Sequence, residues 1–261
     1  MELDKYISNG KRPLPVFLLL DTSGSMSGEK IEVLNMAVDQ MINDFRNANL
    51  TNVDLKICVV TFGGSANVAL DLTSVGDAEF RHLSANGMTP LGGALHLASE
   101  IINDKERISS KGYRPTILLV SDGMPNDNWE SEFDSFVNGK RTGKCERWAI
   151  AIGSDADRNM LTRFINNPIN RVFEANMANE ISSYFNFVTM STSTRAASIN
   201  PNESLKIEEL KEVMEDEMPE FNFDLWSIFA ETPSEGRNIL RLDYQIKTVT
   251  NSITLTSALV Q

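Results

Sequence analysis

The sequence predicts an α/β fold, a mostly parallel central sheet covered by helices on both faces. Three observations point to it. The segments Pro15 to Leu20, Thr116 to Val120 and Trp148 to Ile152 are continuous apolar runs, as expected of strands buried on both faces rather than one. Segments with apolar residues at helical spacing fall between them. The order is strand, helix, strand, helix, which favours parallel neighbours joined by crossovers.

The elements follow in order. Pro15 to Leu20 ends in a Ser/Gly-rich turn. From Glu29 onward, Ile31, Val33, Leu34, Ala37, Val38, Met41, Ile42 and Phe45 lie on one helical stripe. Val53 to Phe62 is β-branched and aromatic, and Gly63-Gly64 ends it. Ala66 to Leu72 reads as a short edge strand. Leu91 to Ile108 is helical through Leu95, Leu97, Ala98, Ile101 and Ile102. After the strands at 116–120 and 148–152 come a short helix (Asp157 to Ile165), a short strand (Arg171 to Glu174) and a closing helix from Ala178 to about Thr192. No internal repeat is visible at periods of roughly 20–50 residues. Residues 1–13 form a leader without an apolar signal core, the main domain spans 14–192, and the polar stretch 193–202 reads as a linker. Residues 203–261 form a small acidic appendage, with a helix over about Glu203 to Met218 and a hairpin from Ile239 to Lys247 and Ser252 to Leu259. Residues 201–261 hold 12 acidic and 5 basic residues.

Composition narrows the function classes. The 261 residues are 41 % hydrophobic and 23 % charged, with a net charge of −12. This is ordinary globular composition, large enough to bury a core without covalent staples. The acidic balance argues against neutralising nucleic-acid phosphates and against docking on anionic membranes. Near the N-terminus the longest apolar run, Val16 to Leu20, falls far short of the ~20 residues of a membrane span. Two cysteines cannot build a disulfide framework or a four-cysteine zinc site. Cys58, in an apolar run, reads as a small buried side chain; Cys145, in a polar run, reads as an incidental surface thiol. Together these features indicate a reducing, cytoplasmic compartment.

In such sheets ligands gather beyond the carboxyl ends of the strands. After the first strand come Asp21-Thr22-Ser23-Gly24-Ser25, a carboxylate and two hydroxyls on one tight turn. After the strand at 116–120 come Ser121-Asp122-Gly123. Between them, Thr89-Pro90-Leu91-Gly92 opens a helix, with Thr89 placed to present a hydroxyl at its start. Taken singly, Ser23, Ser25 and Thr89 read as capping residues and Asp122 as an Asp-Gly turn. Taken together, at strand ends and a helix start of one fold, they read as a metal site. All are hard oxygen donors, which suit Mg²⁺, with Mn²⁺ or Ca²⁺ as alternatives, rather than zinc or copper. Asp127, Asn128 and Trp129 read either as its rim or as an ordinary polar loop with an anchoring Trp. The two histidines, His82 and His96, do not make a zinc hydrolase. The turn at 24–28 fits neither a P-loop nor a nucleophile elbow. An aspartyl-phosphatase reading of Asp21 meets Ser23 where a second aspartate would act.

D-x-S-x-S, then Thr, then Asp-Gly resembles the metal-ion-dependent adhesion site of the von Willebrand factor A domain, over residues 14–190. The stretches LPVFLLLDTSGSM, TPLGGAL, SDGMPNDNW and AIAIGSDAD are similar to those of bacterial TerY-like proteins of tellurite-resistance and stress operons. The resemblance implies a Rossmann-like fold of about six strands, with Asp21, Ser23, Ser25, Thr89 and Asp122 holding Mg²⁺. It implies a non-enzymatic module that captures an Asp or Glu of a protein partner, an adaptor in a stress, tellurite-resistance or phage-defence operon. Some relatives are encoded beside a protein kinase and a PP2C-type phosphatase. Two features depart from the family: Gly63-Gly64 stands where relatives often carry a polar residue, implying a more open rim, and the tail lacks the cysteines of longer relatives. The competing expectations are a metal-dependent phosphatase or hydrolase using the same carboxylates, and a structural domain with a vestigial site. Against the enzyme, the sequence places no His, Lys or Glu beside the motif as acid or base.

Overall fold

Strand β1 (Arg12–Asp21) is buried from Leu14 to its end and divides the molecule's core. Its residues alternate between faces, as a strand's must. Leu14, Val16, Leu18 and Leu20 enter one apolar cluster with α1 (Glu29–Asn47) and α5 (Ala178–Ala197). Phe17 and Leu19 enter the other with α2 (Leu91–Asn103), α3 (Trp129–Val137) and α4 (Arg158–Phe164). Each fully buried side chain of this kind contributes about 1.5–3 kcal/mol, so burial on both faces fixes β1 at the centre. The computed structural model describes residues 11–48, 50–165 and 172–205, and the backbone of 239–241, 245–249 and 252–256.

The sheet runs β3 (Ser65–Ser74), β2 (Val53–Gly63), β1, β4 (Thr116–Ser121), β5 (Glu146–Ile152) and β6 (Val172–Ala175). All neighbours are parallel except β3, antiparallel on the outer edge of β2. A three-residue strand, β7 (Ile239–Arg241), adds parallel beyond β6. Strands β8 (Gln245–Val249) and β9 (Ser252–Thr256) form a separate antiparallel pair. The stretch expected as one hairpin strand from Ile239 to Lys247 is therefore divided between the main sheet and the pair. The helix expected over Glu203 to Met218 lies, from residue 206 on, outside the described residues. No described helix is long and apolar enough to cross a membrane.

Four expectations change. Helix α2 stops at Asn103 rather than Ile108, because Asp104 turns the chain: its carboxylate accepts the Glu106 N–H and its carbonyl accepts the Ile108 N–H. Helix α3 begins at Trp129, read as rim or polar loop, and occupies a stretch given no element; its Trp129, Phe133 and Phe136, at helical spacing, were the available signal. Cys145 is buried, not superficial, because it leads directly into β5 and packs into the second apolar cluster. Finally, α5 continues to Ala197, into the stretch whose polarity suggested a linker.

That last difference has one cause, Arg195. It is 1 % exposed, and its Nε lies 3.1 Å from Glu146 Oε2 at the start of β5. Its Nη2 donates to Thr116 Oγ1 (2.5 Å) and its Nη1 to the Pro201 carbonyl (2.9 Å). A buried charge of this kind depends on its counter-ion. Glu146→Ala should therefore lower unfolding free energy by about 3–5 kcal/mol, read as a shifted denaturant midpoint, whereas Arg195→Met should cost less. Equal losses in the two variants would show that packing, not charge pairing, holds the end of α5.

Candidate metal centre

Asp21 ends β1 and Ser121 ends β4, neighbouring strands at the point where the strand order reverses, the place where open α/β sheets bind ligands. Register sets Leu20 opposite Val120, so the next residues meet. Ser121 Oγ donates to Asp21 Oδ2 (2.7 Å), and the Ser23 N–H donates to Asp21 Oδ1 (2.9 Å). Ser25 Oγ donates to Asp122 Oδ1 (2.7 Å), and the Ser23 and Ser25 hydroxyls lie 3.1 Å apart. Ser23 precedes a single 3-10 turn (Gly24–Met26) without capping it through its side chain. Its hydroxyl thus faces the carboxylates' network instead.

Thr89 reaches the same end of the sheet on the loop 86–89. The Gly24 N–H donates to the Gly87 carbonyl (3.0 Å), Asn86 N–H to Thr22 O (2.8 Å), and Gly64 N–H to Met88 O (2.8 Å). Thr89 itself is held from the far side, its N–H donating to Asn126 Oδ1 (3.0 Å). It does not cap α2 through its side chain: the N-cap position is Pro90, and Asp127 accepts the Gly92 and Gly93 N–H groups at 3.2 and 3.1 Å. Asp127 is thus a helix cap, and Trp129 packs edge-on against Phe133.

Direct hydrogen bonds therefore join Asp21, Ser23, Ser25 and Asp122, while Thr89 is brought in through backbone. The rim at Gly63-Gly64 is not opened by the missing side chains. A Cβ on Gly63 would lie 2.1 Å from Thr22 O, and one on Gly87 (φ +68°) 2.4 Å from Gly64 Cα. The loop backbones themselves fill that place, which leaves room for glycine alone.

The two carboxylates are electrostatically unlike. Asp21 is fully buried, the Ser23 N–H and Ser121 hydroxyl that bond to it are neutral donors, and no cation among the described residues lies within ion-pair distance. Burial raises its pKa above the ordinary carboxylate value; hydrogen bonds from Ser23 and Ser121 oppose the rise, and the Asp122 charge adds a minor part. Asp122 instead has Lys30 Nζ 2.6 Å from its Oδ2. This corrects one expectation, since a lysine does stand beside the motif, and it neutralises one of the two neighbouring carboxylates. Lys30 lies in the first turn of α1, which the sequence reading treated only as a packing helix.

Among the described residues no three His, Cys, Asp or Glu side chains come together. The donor set is instead two carboxylates and three hydroxyls, and a buried carboxylate without a cation is the feature a divalent ion would offset. Asp21, Ser23, Ser25, Thr89 and Asp122 could hold one. Ser121, Lys30 and Asn126 were missed; the first adjoined the Asp-Gly signal, and the others carry no local pattern, while Asp127, read as rim or polar loop, caps α2. His82 and His96 are surface residues, set against Asp39 (2.7 Å) and Glu132 (3.4 Å).

Because the folded state raises Asp21's pKa, ionising it costs stability. The cost is absent below the unfolded carboxylate pKa and grows as pH rises through the folded value. In chelator at neutral pH, Asp21→Asn should melt no lower than wild type by calorimetry, with the difference shrinking on acidification. A markedly lower melting temperature would show that the carboxylate's hydrogen bonds outweigh its desolvation.

Comparison with known proteins places this geometry. The von Willebrand factor type A domain model matches residues 16–187. The chain is 24 % identical over 157 residues to inter-alpha-trypsin inhibitor heavy chain H6 of Homo sapiens, covering 57 % of this chain and 12 % of that protein. Among solved structures it is similar to the pilus adhesin SpaC of Lactobacillus rhamnosus GG in its open conformation. That match has 17 % identity and a TM-score of 0.58, over 72 % of this chain and 30 % of the adhesin. It is also similar to proximal thread matrix protein 1 of the mussel byssus, solved with zinc in its metal-ion-dependent adhesion motif. There the identity is 16 % and the TM-score 0.53, over 70 % of this chain and 46 % of the other. At these identities the structural likeness shows the fold, and in each case the match spans less than half of the relative. With the family model covering 16–187 and the parallel sheet ending in Asp21 and Asp122, the chain belongs to the von Willebrand factor type A domain family.

Proposed function

We propose that this chain is a non-enzymatic, divalent-metal-dependent protein-binding module whose site captures an acidic residue of a partner. The family is in general one of metal-dependent protein-interaction modules. The observation that carries the reading is Asp21, a fully buried carboxylate without a cationic partner among the described residues, one hydrogen bond from Ser121 and two positions from Ser23. Asp21, Ser23, Ser25, Thr89 and Asp122 would hold the ion, Mg²⁺ by donor type, with Mn²⁺ or Ca²⁺ alternatives. When bound, the ion supplies a Lewis-acidic position for one external oxygen. Three of the five donors are neutral hydroxyls, so the site leaves positive charge for an incoming carboxylate. Ser25 is exposed, and Met88 and Met124, neighbours in sequence of Thr89 and Asp122, are 61 % and 67 % exposed. Such flexible apolar side chains suit adaptable contact around a charged anchor.

The likeness to TerY-like proteins supports a cytoplasmic adaptor in a stress, tellurite-resistance or defence operon, with an operon-encoded kinase and PP2C-type phosphatase as candidate partners. Against hydrolysis, the two histidines lie against Asp39 and Glu132 rather than beside the site serines, and Lys30 is engaged by Asp122.

Titration calorimetry with Mg²⁺ or Mn²⁺ should show one site, abolished in Asp21→Ala and weakened in Thr89→Ala. At ~100 times the dissociation constant, metal should add about 2.7 kcal/mol to wild type, a rise of roughly 5–10 °C in melting temperature. An isotherm unchanged in both variants removes the assignment. Capture from host lysate should require metal and Asp21. Phosphate esters should remain intact with Mg²⁺, and turnover abolished by Asp122→Ala would make the protein an enzyme.

A further inference from the structure

A second constellation lies at the other end of the sheet. The segments 102–115 and 140–144 lead into the amino ends of β4 and β5 and, with Asn202, line an open cavity of about 780 Å³. The metal centre sits at the carboxyl end of β4. At about 3.3 Å per residue the six-residue strand separates the two by roughly 20 Å, so this is no extension of that site.

The cavity's charge is opposite to the chain's. Lys105, Arg114, Lys140, Arg141 and Lys144 line it, with no acidic side chain among the lining residues, in a protein of net charge −12. The two arginines are fixed in place. Arg141 Nη2 donates to the Ile108 carbonyl (2.7 Å), and Arg114 Nη2 donates to Ser204 Oγ (2.8 Å) with Glu146 3.7 Å away. Arg114 Nε is buried without a hydrogen-bond partner. The three lysines are exposed, and their ammonium groups make no hydrogen bond or ion pair with described residues. Like charges gathered on one concave surface repel, and an anion seated among them removes that cost.

We propose that this cavity binds a small polyanion bearing phosphate groups. Its volume lies within the range of small-ligand sites, roughly 300–1,000 Å³. Compact ammonium groups around fixed guanidinium groups match clustered phosphate oxygens. Three ammonium groups without described partners call for a ligand with several charges in a small volume. An acidic peptide spreads its carboxylates along an extended chain, about 3.3 Å per residue with alternate side chains on opposite faces. That geometry fits a concave cavity less well.

The test is calorimetry on the full chain in resin-treated, divalent-free buffer, with tripolyphosphate as the probe. Wild type and Asp21→Asn should bind one equivalent alike, with affinity falling as ionic strength rises. The double variant Lys140→Glu/Lys144→Glu, whose altered side chains are exposed, should keep the wild-type melting temperature and lose at least tenfold in affinity. ATP binding more tightly than tripolyphosphate would support the site and identify a nucleotide as the source; equal affinity would support a reader of phosphate alone. No heat with either probe, full affinity in the double variant, or loss of binding in Asp21→Asn would overturn the proposal. So would a hexaglutamate peptide binding more tightly than either phosphate probe.

Discussion

The hydrogen bond from Ser121 to Asp21 is the contact on which the site depends. It closes the carboxyl ends of β1 and β4, and it forms because the two strands lie side by side in parallel with Leu20 opposite Val120. Shifting either strand by one residue would exchange the side chains it offers to the two apolar clusters and part the two carboxylates. Packing on both faces of β1 therefore sets the geometry of a polar site at its end. The same register explains how a group as costly as a buried carboxylate is tolerated: it is held by a hydroxyl and a backbone N–H, and the opposing desolvation remains as a demand for positive charge.

Around that contact, three loops share backbone rather than side chains. Thr22 and Gly24, Phe62 and Gly64, and Asn86 to Met88 hydrogen-bond to one another, with glycines where backbones meet. On the other side Asn126 and Asp127 tie the loop after β4 to Thr89 and to the start of α2. The turn that carries Ser23 and Ser25 is thus braced from two directions by elements distant in sequence.

Much of this was legible in the residues. Continuous apolar runs marked the buried strands because burial on both faces leaves no polar alternation, and chain order then placed Asp21 and Asp122 at strand ends. What stayed hidden was nonlocal. Lys30 reaches Asp122 across 92 positions, and no local pattern distinguishes it from any lysine at a helix start. Residues 193–197 looked like linker because Arg195 is ordinarily a surface residue; only Glu146, brought alongside by the fold, makes its burial tolerable. Cys145 misled for the same reason, being polar in sequence company and apolar in space. Helix α3 was the exception, visible in the spacing of its aromatics yet obscured by the polar residues between them.

The two cysteines have a practical consequence. Both are fully buried, and burial pushes both thiols up to about 12. Since the thiolate is the reactive form, neither is available to alkylating reagents while the domain stays folded. The chain holds no other cysteine, so a single cysteine introduced at an exposed position would be its one reactive thiol. Spectroscopic labels could then be attached at a chosen spot on the natural sequence, and slow modification of Cys58 and Cys145 would report opening of the core.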